Sequence, residues 1–162
     1  EGLAEAIYKG QLKKMWQDCI GVCWNALNSV AGAWDPAIEA LAAAVGWKGY
    51  DRAEALLVGE RIVVLQRLIS LYKGYKPEYD FDISERLLLP LTSGPAKGRA
   101  LPVGPYLARW RTEYYDCLNW DADTGAPRPE ALKRVGMADF KVGKTKAATA
   151  RRTPRPRAAK KA

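Results

Sequence analysis

The sequence predicts an all-α fold, an irregular helical bundle with a long buried central helix, followed by a disordered basic C-terminal tail. Three observations carry that prediction. Residues 51–73 read as one uninterrupted helix opened by Asp51 and closed before Gly74. Elsewhere apolar residues recur at three- and four-residue spacing. No segment alternates with period two for long enough to make a strand, and no internal repeat is present.

Taken in order, residues 3–16 place Leu3, Ile7, Tyr8, Leu12, Met15 and Trp16 near helical spacing, with Gly10 as the weak point. Asp35-Pro36 predicts the next helix start, aspartate as cap and proline in the first helical position, with Gly46 placed to stop it. Asp51-Arg52-Ala53-Glu54 has the form of a capping box. The helix it opens spans roughly 35 Å at about 1.5 Å per residue. Its apolar residues leave only a thin polar stripe near Glu60, Arg67, Ser70 and Lys73, the pattern of a buried helix. Gly59 within it predicts close packing against a neighbour. Residues 75–102 hold four prolines and read as irregular connection with one helical turn near 84–89. Residues 106–120 return to helix, with Tyr106, Trp110 and Tyr114 spaced for core packing. A turn at 121–127 and a short helix from Pro129, closed by Gly136, complete the domain.

The formal net charge of +8 is unevenly spread. Residues 1–138 carry 17 basic and 17 acidic side chains, whereas residues 139–162 carry nine basic and one acidic. The division of the chain is therefore a helical domain over 1–138 and a Lys/Arg/Ala/Pro-rich tail over 139–162 whose composition cannot sustain a core. Such a tail suits nucleic-acid phosphates or an acidic protein partner, and is equally consistent with a solvated extension. The chain lacks histidine, which excludes Ser-His and Cys-His nucleophilic catalysis and His-ligated zinc, haem or non-haem iron within it. Its three cysteines, Cys19, Cys23 and Cys117, make no disulfide framework and predict a reducing, cytoplasmic setting. No apolar run is long enough to span a bilayer and no secretory signal opens the chain. Opening on Glu1 already in helical pattern, it reads as a piece of something longer.

The segment with chemistry in it is Asp18-x-x-Gly21-Val22-Cys23. A carboxylate accepts paired hydrogen bonds from the edge of an aminopyrimidine, glycine allows close backbone approach to a flat ligand, and a thiolate ligates an iron–sulfur cluster. The bland alternatives are that Asp18 caps the helix that follows and that Cys23 is a small core hydrophobe. Cys19 is expected in the core and Cys117 in a structural role. Arg61 and Arg67 are expected to pair with acids inside the domain. The Gly94–Gly98 loop lacks the spacing of a phosphate-binding loop.

Around that segment stand Gly59-Glu60-Arg61-Ile62, Arg67, Asp82 to Arg86, Gly94-Pro95-Ala96-Lys97-Gly98, Glu113-Tyr114-Tyr115, Trp120-Asp121, Gly125-x-Pro127 and Leu132-x-x-Val135-Gly136. In this order they resemble the C-terminal region of the aldehyde:ferredoxin oxidoreductase family over residues 1–138. The resemblance implies a tungsten (or molybdenum) bis-pterin cofactor beside a 4Fe-4S cluster, oxidation of aldehydes to acids, and ferredoxin as electron acceptor. By the same resemblance Asp18 contacts a pterin, Gly21 and Val22 shape the backbone beside it, and Cys23 is the fourth cluster ligand. Val22 stands where the family usually has Leu. The other cluster cysteines and the first pterin motif lie in segments absent here, so no catalytic residue is assigned. The implied partners are the remainder of the oxidoreductase and ferredoxin or an electron-transfer subunit. The competing reading is an orphaned helical domain acting as an interaction or nucleic-acid-binding module through its basic tail.

Overall fold

A computed structural model describes residues 2–100 and 103–140. Among these the chain is all-α, with helices α1 (Leu3–Cys19), α2 (Trp24–Asn28), α3 (Trp34–Val45), α4 (Arg52–Tyr72), α5 (Val103–Leu118) and α6 (Pro129–Arg134). Short 3-10 turns occupy Pro77–Phe81 and Glu85–Leu88. A single isolated bridge pairs Trp120 with Pro127. The disorder expected of the basic tail concerns residues 141–162, which lie outside the described residues.

Helix α4 is the spine. The Asp51 carboxylate accepts from the Glu54 backbone N–H at 3.0 Å, so the expected cap opens the helix. Three apolar clusters are strung along it. Leu12 of α1 meets Val63, Tyr115, Leu118 and Trp120 in one. Trp16, Leu27, Trp34, Ile38 and Ala55 join α1, α2 and α3 to the start of α4 in the second. Val64, Leu68 and Val135 seat α6 in the third.

The contact that sets the bundle is between α1 and α4. A Cβ added at Gly59 would run into the Leu12 carbonyl, so the two backbones cross in direct contact. The close packing that a mid-helix glycine predicts is therefore present.

The burial of α4 is not what its sequence suggests. The thin polar stripe faces inward at two positions: Glu60 and Arg67 are buried, while Ile69 and Tyr72 are exposed. Both buried charges have partners far away in sequence. Arg134 reaches Glu60 with Nε 2.8 Å from Oε1. Arg67 Nε donates to the Gly125 carbonyl at 2.7 Å, its Nη2 reaches both the Tyr115 hydroxyl and the Asp80 carboxylate, and Tyr75, Tyr115 and Trp120 surround its guanidinium. A buried charge is tolerated only with such partners. Arg61, by contrast, donates to the Val135 carbonyl at 2.8 Å rather than pairing with an acid.

Other differences are local. Helix α3 begins at Trp34 with Ala33 as its cap, and Asp35 instead pairs with Arg52. Of the aromatic series on α5, only Tyr114 packs against the core. Tyr106 is exposed and stacks on Trp110 at 5.5 Å. Helix α2, the helix that follows the Asp18–Cys23 segment, is five residues long, too short to show a period in the sequence.

Gly59→Ala and Gly10→Ala make the same chemical change with opposite expected signs. A Cβ at Gly10 meets nothing within 4 Å, so alanine there stabilises by about 0.5–1 kcal/mol. At Gly59 it forces α1 and α4 apart, and overpacking of about 1–3 kcal/mol outweighs the propensity gain. Urea denaturation of both variants checks the pair.

Candidate functional site

Helix α1 ends in a way that explains the middle of the Asp18–Cys23 segment. Gly21 has φ +72°, its N–H bonds the Asp18 carbonyl at 3.2 Å, and the Val22 N–H bonds the Gln17 carbonyl at 3.4 Å. These two bonds with a left-handed glycine are a Schellman ending. The hydrophobic residue that accompanies it is Val22, which packs into the cluster around Trp16. Gly21 and Val22 therefore turn the backbone sharply between the aspartate and the cysteine. Any residue but glycine would be strained at the first of these positions.

Gln17 holds the turn from beneath. It is fully buried. Its amide nitrogen donates to the carbonyls of Cys23 at 2.8 Å and Val22 at 3.4 Å, and its oxygen accepts from Asn28 of α2 at 3.2 Å. One side chain thus ties the end of α1, the turn and the start of α2 together. Sequence reasoning missed Gln17, since its partners lie across a turn whose geometry is not visible in residue types.

The two side chains with chemistry both face outward. Cys23 is exposed, as the residue preceding α2, and so is not a core hydrophobe. Cys19, expected in the core, is exposed as well, as the last residue of α1. Cys117 is half-buried, and burial pushes its thiol pKa up. Asp18 does not cap α2; it lies in the last turn of α1, exposed, and pairs with Lys14. That position is electrostatically poor for an acid. The C-terminal end of a helix carries partial negative charge, and no basic residue stands in the last turn to offset it. The Lys14–Asp18 order is also the weaker orientation for a pair four residues apart.

Because the chain has no histidine, a metal here would need cysteines or carboxylates. Among the described residues no group of three or more such side chains stands close enough to hold one. The segment offers a single thiolate and a single carboxylate on one rigid turn, which is a fraction of a site.

Set beside known proteins, residues 1–137 match the family model described as aldehyde ferredoxin oxidoreductase, domains 2 & 3. The match covers most of the chain, including α1 to α6, and the chain belongs to that family of oxidoreductases. Comparison with curated proteins and with solved structures returned no match. Among the described residues no helix is long and apolar enough to cross a membrane.

Folding should be indifferent to Asp18 and sensitive to Gln17. Asp18→Asn is expected to change stability by no more than about 0.5 kcal/mol. Gln17→Ala strands buried polar groups and should cost about 1–3 kcal/mol. Chemical denaturation followed by far-UV circular dichroism measures both.

Proposed function

We propose that this chain supplies one pterin contact and one cluster ligand to a tungsten (or molybdenum) bis-pterin, 4Fe-4S oxidoreductase that oxidises aldehydes to acids and passes electrons to ferredoxin. The observation that carries the reading is the placement of Asp18. An exposed carboxylate sits at the negative end of α1, where it contributes little to folding, and a rigid turn connects it to an exposed thiol. Residues kept where stability does not favour them are candidates for function.

In this reading Asp18 accepts hydrogen bonds from the aminopyrimidine edge of a pterin. Gly21, without a side chain, lets the backbone lie close to that ring, and Val22 anchors the turn in the core beneath. Cys23 provides one of the four thiolates a 4Fe-4S cluster takes. Lys14 faces Asp18 and keeps a positive charge beside the carboxylate. When bound, the metal and pterin would supply two-electron oxidation chemistry and the cluster one-electron transfer. The other three thiolates come from the rest of the oxidoreductase, which this domain must pack against. The chain's own contribution is position: Gln17 fixes the Cys23 backbone, so carboxylate and thiol are held at one separation.

The test uses the complete enzyme with its cofactors. Cys23→Ala is expected to lose the cluster's electron paramagnetic resonance signal and most of the iron. Cys117→Ala, half-buried on α5, should retain both. Full iron in the Cys23 variant would overturn the assignment.

A further inference from the structure

Helix α1 carries three lysines, Lys9, Lys13 and Lys14, and each is directed differently. Lys9 pairs with Glu5 toward the start of the helix. Lys13 lies over the ring of Trp34, at the start of α3, at 5.2 Å. Lys14 alone of the three reaches the Asp18–Cys23 turn. Its ammonium is held at two points, against the Asp18 carboxylate and 5.7 Å from the centre of the Trp24 ring.

Those two residues bracket the motif, since Asp18 opens it and Trp24 follows Cys23 directly. Neither end is loose. Gln17 donates to the Cys23 carbonyl at 2.8 Å, and Asn28 of α2 donates to the Trp24 carbonyl at 2.8 Å. The backbone that carries thiol and ring is thus fixed from both sides, and the ammonium spans the turn from carboxylate to ring. Folding gains little from this arrangement. An exposed pair four residues apart in Lys-before-Asp order contributes little, and so does a cation over an exposed ring. Among the described residues Trp24 joins none of the three core clusters.

The arrangement has electrostatic value instead. In the complete enzyme the segments that bring the other three thiolates cover this face, and the ammonium loses water. A unit charge acts several-fold more strongly there than in bulk water, because its interaction energy scales inversely with the dielectric constant. A 4Fe-4S cluster gains one negative charge with each electron it takes, and its potential responds to the charge around it. A cation held beside one of its ligands therefore favours the reduced form. The Asp18 carboxylate opposes this effect.

We propose that Lys14 sets the reduction potential of the cluster that Cys23 ligates, raising it so that the cluster takes electrons from the pterin-bound metal more readily. The proposal rests on the cofactor reading above and adds to it a residue one helical turn outside the motif.

The experiment is a potentiometric titration of the complete enzyme, isolated anaerobically, with the reduced cluster followed by electron paramagnetic resonance. Lys14→Gln keeps helix propensity and removes the charge, while Asp18 stays in place in every variant, so the comparison isolates the lysine. At the midpoint of the unaltered enzyme, the ratio of reduced to oxidised cluster in Lys14→Gln should be lower by about threefold or more. Lys14→Arg keeps the charge and should titrate with the unaltered enzyme. Lys13→Gln removes the neighbouring charge, directed to Trp34, and should shift the ratio clearly less. Iron content should be equal in all of these proteins, which separates a change of potential from loss of the cluster. An unmoved midpoint in Lys14→Gln, an equal shift in Lys13→Gln or Lys14→Arg, or iron lost from Lys14→Gln overturns the proposal and leaves the Cys23 assignment standing. An unaltered enzyme without a cluster signal overturns the cofactor reading and the proposal with it.

Discussion

The close crossing of α1 over α4, glycine against backbone carbonyl, is the constraint from which the rest of the domain follows. With Gly59 beneath the Leu12 carbonyl, α1 cannot ride outward without losing the Tyr115, Leu118 and Trp120 cluster that Leu12 completes. The direction of α1 is thereby fixed, and with it the place where the helix ends. One turn beyond the crossing, Trp16 docks against Trp34 at 4.9 Å and donates to the Tyr50 hydroxyl at 2.7 Å, which anchors the end of the helix to α3. Position passes from a backbone contact in the core to a turn at the surface.

At that turn, structural and chemical roles fall on different residues of one short motif. Gly21 and Val22 end a helix, and Gln17 locks the ending. Asp18 and Cys23 do neither task, and both point outward. A motif that mixes residues required for folding with residues that folding does not need is what a shared cofactor site demands of one of its contributors. The domain also carries apolar surface beyond what an isolated bundle requires: Leu87, Leu88, Leu89 and Leu91 are all exposed in the connection after α4. This agrees with a piece that packs against the remainder of an aldehyde ferredoxin oxidoreductase-type enzyme.

Elements governed by local rules were legible in the sequence. The Asp51 cap, the long α4, the stops at Gly46 and Gly136 and the tight contact at Gly59 each depend on residues within a turn or two, or on one glycine where none is favoured. What could not be read depends on distant partners. Glu60 and Arg67 look like a solvent stripe because Arg134, Asp80, Tyr115 and Gly125, which allow them inside, are 13 to 74 residues away. The same reason hid Gln17, whose partners stand across the turn and on α2. The Asp18–Cys23 segment was picked out by residue type and order, but its geometry as a helix ending came only from the backbone.

On the proposed reading, the Asp18–Cys23 turn completes a metal site whose other ligands come from the rest of the oxidoreductase. Elemental analysis for tungsten, molybdenum and iron, on the protein isolated anaerobically with whatever accompanies it, tests that claim most directly. Tungsten or molybdenum together with about four irons for each copy of this chain is the expected result. Protein isolated with its partners but free of all three metals would contradict it.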